Sequence, residues 1–283
     1  MSTEYHTPPL TVAQALREAQ VKGLERIDAQ MLLLHTLGQP LNHRAWLLTH
    51  DTDPMTAESL AQFRGLYERR LAGEPTAYLT GVKEFWGLPL QIDARVLDPR
   101  ADTETLVSWA LETTAPIAQP RIVDLGTGSG AIALAIQSER PDATVLAIDA
   151  SADALAVAQA NAERLQLPVQ FAQSHWLQNV VQGPFDLIVS NPPYIAAADP
   201  HLAALTHEPL SALASGADGL DDIRTIIDEA RTQLKPAGWL LLEHGWDQSA
   251  AVQQLLNAAG FSEVQSKADL AGIARCTGGS MKP

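Results

Sequence analysis

At 283 residues, with 46% apolar and 18% charged side chains, the chain is long enough for one large domain or two modest ones of ordinary soluble composition. Acidic residues (33) outnumber basic ones (19), and the formal charge of −14 opposes approach to a phosphate backbone, so no direct nucleic-acid partner is expected. The lone Cys276 excludes an internal disulfide and a paired-thiolate metal site, no apolar run is long enough to span a bilayer, and the opening MSTEYHTPPL lacks the regions of a secretion signal, so the expectation is a cytoplasmic protein without metal or membrane contact.

From Thr11 to about Ala72 apolar residues recur at helical spacing: Val12, Ala15, Leu16 and Ala19, then Ile27, Met31, Leu34 and Leu37. This predicts a small bundle of short helices over residues 1–74. Thr11 and Asp28 are the expected caps, Gly38-Gln39-Pro40 and Asp53-Pro54 the breakers, and Thr56 opens a last helix through Tyr67 and Leu71. Residues 75–99 change to strand-like segments, Lys83 to Trp86 and Leu88 to Ile92 around Gly87, which predicts a hairpin linker. Asp102-Thr103-Glu104 then reads as the capped, acidic start of a helix through Leu111.

Over residues 100–283 strands and helices alternate, which implies right-handed crossovers and a mostly parallel sheet covered on both faces, an α/β architecture. Strands are expected at Arg121–Leu125, Thr144–Ile148, Val169–Ala172, Asp186–Val189 and Trp239–Glu243, and Gly260-Phe261 begins a closing hairpin. Between the first strand and its helix lies Gly126-Thr127-Gly128-Ser129-Gly130. Glycines let a ligand approach the backbone, and the helix start offers unpaired N–H groups. The spacing is G-x-G-x-G, not the G-x-G-x-x-G of dinucleotide folds, and no basic residue in the loop could hold a pyrophosphate.

Asp149 ends the next strand 23 positions after Gly126, near the offset at which an acid meets ribose hydroxyls. An adenosine-containing cofactor follows, with S-adenosylmethionine favoured over NAD; the alternative for Asp149 is a helix cap. Asp124 could hold loop amides or meet the cofactor's ammonium, or be purely structural. Trp176 is read either as a wall for the adenine or as core, and His175 as a surface side chain.

After the apolar run Phe185 to Val189 comes Asn191-Pro192-Pro193-Tyr194. Two prolines fix φ and remove two donors, leaving the Asn191 and Pro192 carbonyls free to accept from a substrate NH2, while Tyr194 offers a ring for a flat amide or base. These motifs in order resemble the HemK/PrmC family of release-factor glutamine N5-methyltransferases. The likeness extends to Tyr78-Leu79-Thr80-Gly81, Glu84-Phe85-Trp86-Gly87, Glu208 through Leu213, Asp218-Gly219-Leu220, Leu241 through Gly245 and Arg275 through Gly278.

The resemblance implies a Rossmann-like class I S-adenosylmethionine-dependent methyltransferase fold and an N-terminal bundle that docks the substrate, class I peptide chain release factors. Gly126, Thr127, Gly128, Ser129, Gly130, Asp149, Trp176 and Asn191 would contact the cofactor. Asn191, Pro192, Pro193 and Tyr194 would hold the glutamine amide of the GGQ loop, with Asn191 and Pro192 catalytic and Phe85 and Thr103 lining the site. The chain departs from the family's usual pattern at Asp98, at Ala101, and at His175, where an acid is common. A DNA adenine-N6 methyltransferase and a non-catalytic release-factor-binding module are the alternatives, because an exocyclic NH2 fits the same acceptors and a fold can outlive its chemistry.

Overall fold

The computed structural model describes residues 9–282; the segment 1–8, most of the stretch read for a secretion signal, lies outside the described residues. The chain divides into two compact units, residues 1–81 and 82–283, so the segment expected as a linker is shared between them. Among the described residues no helix is long and apolar enough to cross a membrane.

The first unit holds α1 (Val12–Val21), α2 (Arg26–Thr36), α3 (Arg44–Thr49), α4 (Ala57–Leu71) and α5 (Thr76–Thr80). Thr11 starts α1 through a capping box: its hydroxyl takes the Gln14 N–H at 3.3 Å, and the Gln14 side chain takes the Thr11 N–H at 2.9 Å. Arg64 and Tyr67 of α4 converge on Glu18 of α1 at 2.6 to 2.8 Å, and the Arg64 bond above all holds the Glu18 carboxyl below its usual range.

α2 corrects two expectations. Asp28 lies inside its first turn and caps nothing; its carboxylate receives Arg70 at 2.8 Å and Thr76 at 2.7 Å, joining α2 to α4 and α5. The buried face is Ala29, Leu32, Leu33 and Leu34, whereas Ile27 is 51% exposed. Several helices pack on α2, which widens its covered face beyond the single stripe that periodicity marks.

The second unit opens with the hairpin of β1 (Val82–Phe85) and β2 (Leu88–Gln91). Trp86 and Gly87 between them both take positive φ, the pair a two-residue I′ turn needs. There follow α6 (Glu104–Thr114), β3 (Arg121–Leu125), α7 (Ala131–Glu139), β4 (Thr144–Asp149), α8 (Ala152–Leu165), β5 (Gln170–Gln173) and β6 (Phe185–Ser190). The chain ends with α9 (Asp221–Gln233), β7 (Leu234–Glu243), α10 (Ser249–Ala258), β8 (Ser262–Ala268) and β9 (Ala274–Ser280). The cap read at Asp102-Thr103 is instead a 3₁₀ turn over Ala101–Thr103, with Thr103 in helical backbone and no capping bond.

The seven strands lie in the order β5-β4-β3-β6-β7-β9-β8. β3 to β7 pair in parallel, and β9 pairs antiparallel with both β7 and β8, leaving β5 and β8 as the edges. The central strands are buried along their length, β6 without exception, because helices cover both faces. The chain leaves β3 toward β4 and β5 on one side and returns through β6 and β7 on the other. Between β3 and β6 the loops therefore part above the carboxyl ends of neighbouring strands, the crevice where open parallel sheets bind ligands.

Candidate functional site

That crevice is a cavity of about 270 Å³ walled by Gly126 and Gly128 after β3, Asp149 at the end of β4, Trp176 after β5, and Asn191 and Pro193 after β6. Sequence-named residues from the carboxyl ends of four separate strands thus meet in one place. Thr127, Ser129 and Gly130 stand behind the wall. The Thr127 hydroxyl donates to Asp124 at 2.6 Å, the Ser129 carbonyl accepts from Asn161 at 3.0 Å, and Gly130 begins α7 with φ +85°.

Local chemistry explains each position on the wall. A Cβ at Gly126 would stand 3.3 Å from the Trp176 ring on a backbone at φ +70°, so a side chain there would crowd the indole from a strained position. The Asp149 carboxylate takes the Gly128 N–H and the Ser151 N–H, each at 2.9 Å, and the α8 cap is Ser151, not Asp149. Trp176 is packed into the sheet's core cluster and also faces the cavity, with its indole N–H donated to Asp222 at 3.1 Å. His175 is exposed on the same wall.

A second cavity, about 90 Å³, is walled by Tyr194, Arg100 and Leu205 and shares Leu97, Asn191 and Ala212 with the first. The loop carrying Tyr194 is fixed by backbone bonds: Ile195 N–H to Leu213 O (2.9 Å), Ser215 N–H to Ile195 O (2.9 Å) and Ala197 N–H to Gly216 O (2.8 Å). Gln248 of the loop before α10 donates to the Tyr194 carbonyl at 3.0 Å. Pro192 is buried, and among the described residues its carbonyl accepts no hydrogen bond. Burial pushes the Tyr194 phenol up to about 12, which keeps it neutral.

Phe85, expected to line the site, is a buried end of β1 and belongs to neither wall. Thr103 does reach the site, accepting the Asn191 amide N–H at 3.3 Å. The departure at Asp98 is built into an ion cluster beside the second cavity. Lys83 pairs with buried Asp98 at 3.3 Å, and Arg100 joins Asp98 to Glu208. Pattern reading missed Asp222 and Glu243. Asp222 had no signal beyond an acidic helix start, whereas a charge closing the apolar run Trp239 to Leu242 marked Glu243.

Two buried carboxyls are raised to about 7, chiefly by desolvation: Asp124 under the glycine loop and Glu243 at the end of β7. Asp124 accepts from Thr127 and from Ala133 N–H, yet its Oδ1 has no partner among the described residues. A ring face, a carboxylate at the end of β4 and glycine backbone line the larger cavity together, a lining that fits an adenosine-bearing cofactor.

Raised acid values mean that the fold binds more protons than the unfolded chain between their ordinary values and 7, so stability falls as pH rises through 7. Lowering pH from about 8 to about 6.5 should stabilise the protein by on the order of 1–2 kcal/mol, a rise of a few degrees in Tm. Below that window buried His244, whose value burial lowers, opposes further gain. Thermal melts at the two pH values check this; a Tm that stays level or drops would refute the assignment.

Residues 101–269 match the family model described as Methyltransferase small domain, and residues 11–81 the PrmC N-terminal domain. The release factor glutamine methyltransferase of Xylella fastidiosa is 49% identical over 268 residues, covering 94% of this chain and 96% of that protein. The one from Escherichia coli is 43% identical over 267 residues, covering 93% and 95%. A solved methyltransferase from Pyrococcus furiosus superposes with a TM-score of 0.53 at 19% identity, covering 80% of this chain and 100% of that one, which shows the shared Rossmann-like methyltransferase fold.

Proposed function

Because the chain belongs to the release factor glutamine methyltransferase family, we propose that it transfers the methyl group of S-adenosylmethionine to the side-chain nitrogen N5 of the GGQ glutamine in class I peptide chain release factors. The observation that carries this reading is the wall shared by the two cavities. Asn191 belongs to both, with Gly126, Gly128, Asp149 and Trp176 on one side and Tyr194 on the other. A cofactor in the larger space and a planar amide in the smaller one would meet at Asn191. The same assignment favours a protein substrate over DNA and a working enzyme over a silent binding module, and a substrate from the translation machinery fits a cytoplasmic location.

A carboxamide nitrogen is a weak nucleophile because its lone pair is delocalised into the carbonyl. The residues at Asn191 and Pro192 address this by orientation. If the Asn191 side-chain oxygen and the Pro192 carbonyl each accept one N–H, the nitrogen is turned so that its lone pair points into the larger cavity and is drawn toward tetrahedral geometry. Tyr194 supplies a face for the flat amide. Bound in the larger cavity, S-adenosylmethionine supplies an electrophilic methyl on a positively charged sulfur. The amide proton becomes acidic only after the new N–C bond forms, so it can leave to water without a dedicated base.

The reaction is tested with methyl-labelled cofactor, a release factor and duplex DNA offered in parallel, read by mass spectrometry of digests. Label on the GGQ-loop glutamine is the expected result. Label confined to DNA, or cofactor binding without transfer to either, would overturn it.

A further inference from the structure

Asn191 can present either end of its amide to the cavity, and only the oxygen end accepts from a substrate N–H. The surroundings of the other end decide which is presented. The Asn191 Nδ2 donates to the Thr103 hydroxyl oxygen at 3.3 Å. Behind that pair stands Glu243, 2% exposed, at the end of β7 one step beyond the register pair Ser190↔Leu242. Glu243 Oε2 has no hydrogen-bond partner among the described residues.

The Thr103 hydroxyl and the Asn191 amide both oppose the burial-driven rise of the Glu243 acid, and a hydrogen bond that favours an ionised acid is one donated to it. An ionised carboxyl accepts only. While Glu243 is ionised, the arrangement that satisfies all three groups turns the Thr103 proton toward Glu243 and its lone pair toward Asn191, with the second Asn191 hydrogen toward the same carboxylate. A flipped amide would set its oxygen against a buried negative charge, at close range and away from water. We propose that Glu243 is a positioning residue which, through Thr103, locks the Asn191 amide with its oxygen toward the substrate. Glu243 reaches neither cavity wall, so its action is indirect. The inference rests on the role given above to the Asn191 oxygen.

Proton uptake by Glu243 undoes the lock, because a carboxylic acid can donate to Thr103 and reverse the relay. Four groups face it: Asp102 from the turn before α6, Arg275 and the Cys276 thiol from β9, and the Tyr194 phenol from the loop after β6. Asp102 disfavours its charge and Arg275 favours it. Arg275 is also paired with Asp102 and Asp269, each at 3.3 Å.

The test compares wild type, Glu243→Gln, Thr103→Val and Thr103→Ser on a purified release factor with methyl-labelled cofactor, alongside thermal melts and equilibrium binding of the cofactor. Glu243→Gln keeps the shape but offers Thr103 either polarity; kcat should fall roughly 10- to 100-fold while KM for the cofactor holds within about 3-fold. Thr103→Val should behave alike, and Thr103→Ser should recover most of the loss. Wild-type kcat should decline on the acid side of about pH 7, and that limb should vanish in Glu243→Gln. Folded Glu243→Gln with wild-type kcat and an unchanged acid limb overturns the inference. Wild type that labels no release-factor glutamine overturns the underlying functional reading instead.

Discussion

Alanine at Asn191 is expected to lower kcat by roughly 100-fold or more while leaving cofactor affinity within a few-fold. The reason is where this side chain sits. It stands on both cavity walls, its amide nitrogen is engaged by Thr103, and its oxygen is left as an acceptor at the junction. The bond proposed between it and the substrate would strengthen as the nitrogen pyramidalises and its hydrogens become more acidic, so the loss should fall on the transition state more than on binding. Truncation should barely change Tm, because Asn191 is only half-buried and its bond to Thr103 is long. Single-turnover methylation and cofactor titration measure the two halves separately. Near-normal turnover would remove Asn191 from the mechanism.

The second large effect is expected at Gly219, which lines neither cavity. Its φ is +77°, and a Cβ there would lie 2.2 Å from the Tyr194 carbonyl oxygen and 2.8 Å from the Gln248 amide. Backbone cannot swing away as a side-chain tip can. Gly219→Ala must therefore strain its own dihedral and push the Tyr194 peptide off Gln248, for a combined cost of about 2–4 kcal/mol. Because the displaced peptide belongs to the loop proposed to hold the substrate amide, a shift approaching 1 Å should also cut kcat by about 100-fold. Denaturant melts and turnover at a temperature where the variant stays folded check the pair of effects. A variant with both quantities unchanged would mean that the loop is not held where the Tyr194–Gln248 bond places it.

Much of the second unit was legible because its signals are local. A strand of buried β-branched residues, a loop whose glycines take φ of +70°, +55° and +85°, and a helix start can be read from a dozen consecutive letters. The same holds for the two-proline turn after β6. What escaped depends on partners far along the chain. Asp28 looked like a cap until Arg70 and Thr76 claimed it, and Ile27 looked buried because periodicity shows a stripe without saying how many neighbours cover it. Phe85 shared a block with site-like residues but points into the core. Glu243 was marked only as a charge closing an apolar run; its link to Thr103 and Asn191 emerged when β6 and β7 were set side by side, since nothing within ten residues of it announces either partner.

The two margins of the sheet bear on how the molecule meets other proteins. β5 is four residues long, and β8 carries Glu263 and Lys267 with its ladder interrupted twice. Short, charged and irregular rims offer no straight row of amides for a foreign chain to zip onto. Self-association by sheet extension is disfavoured at both sides, which leaves side chains and crevices as the better grip on a visiting loop than an eighth strand.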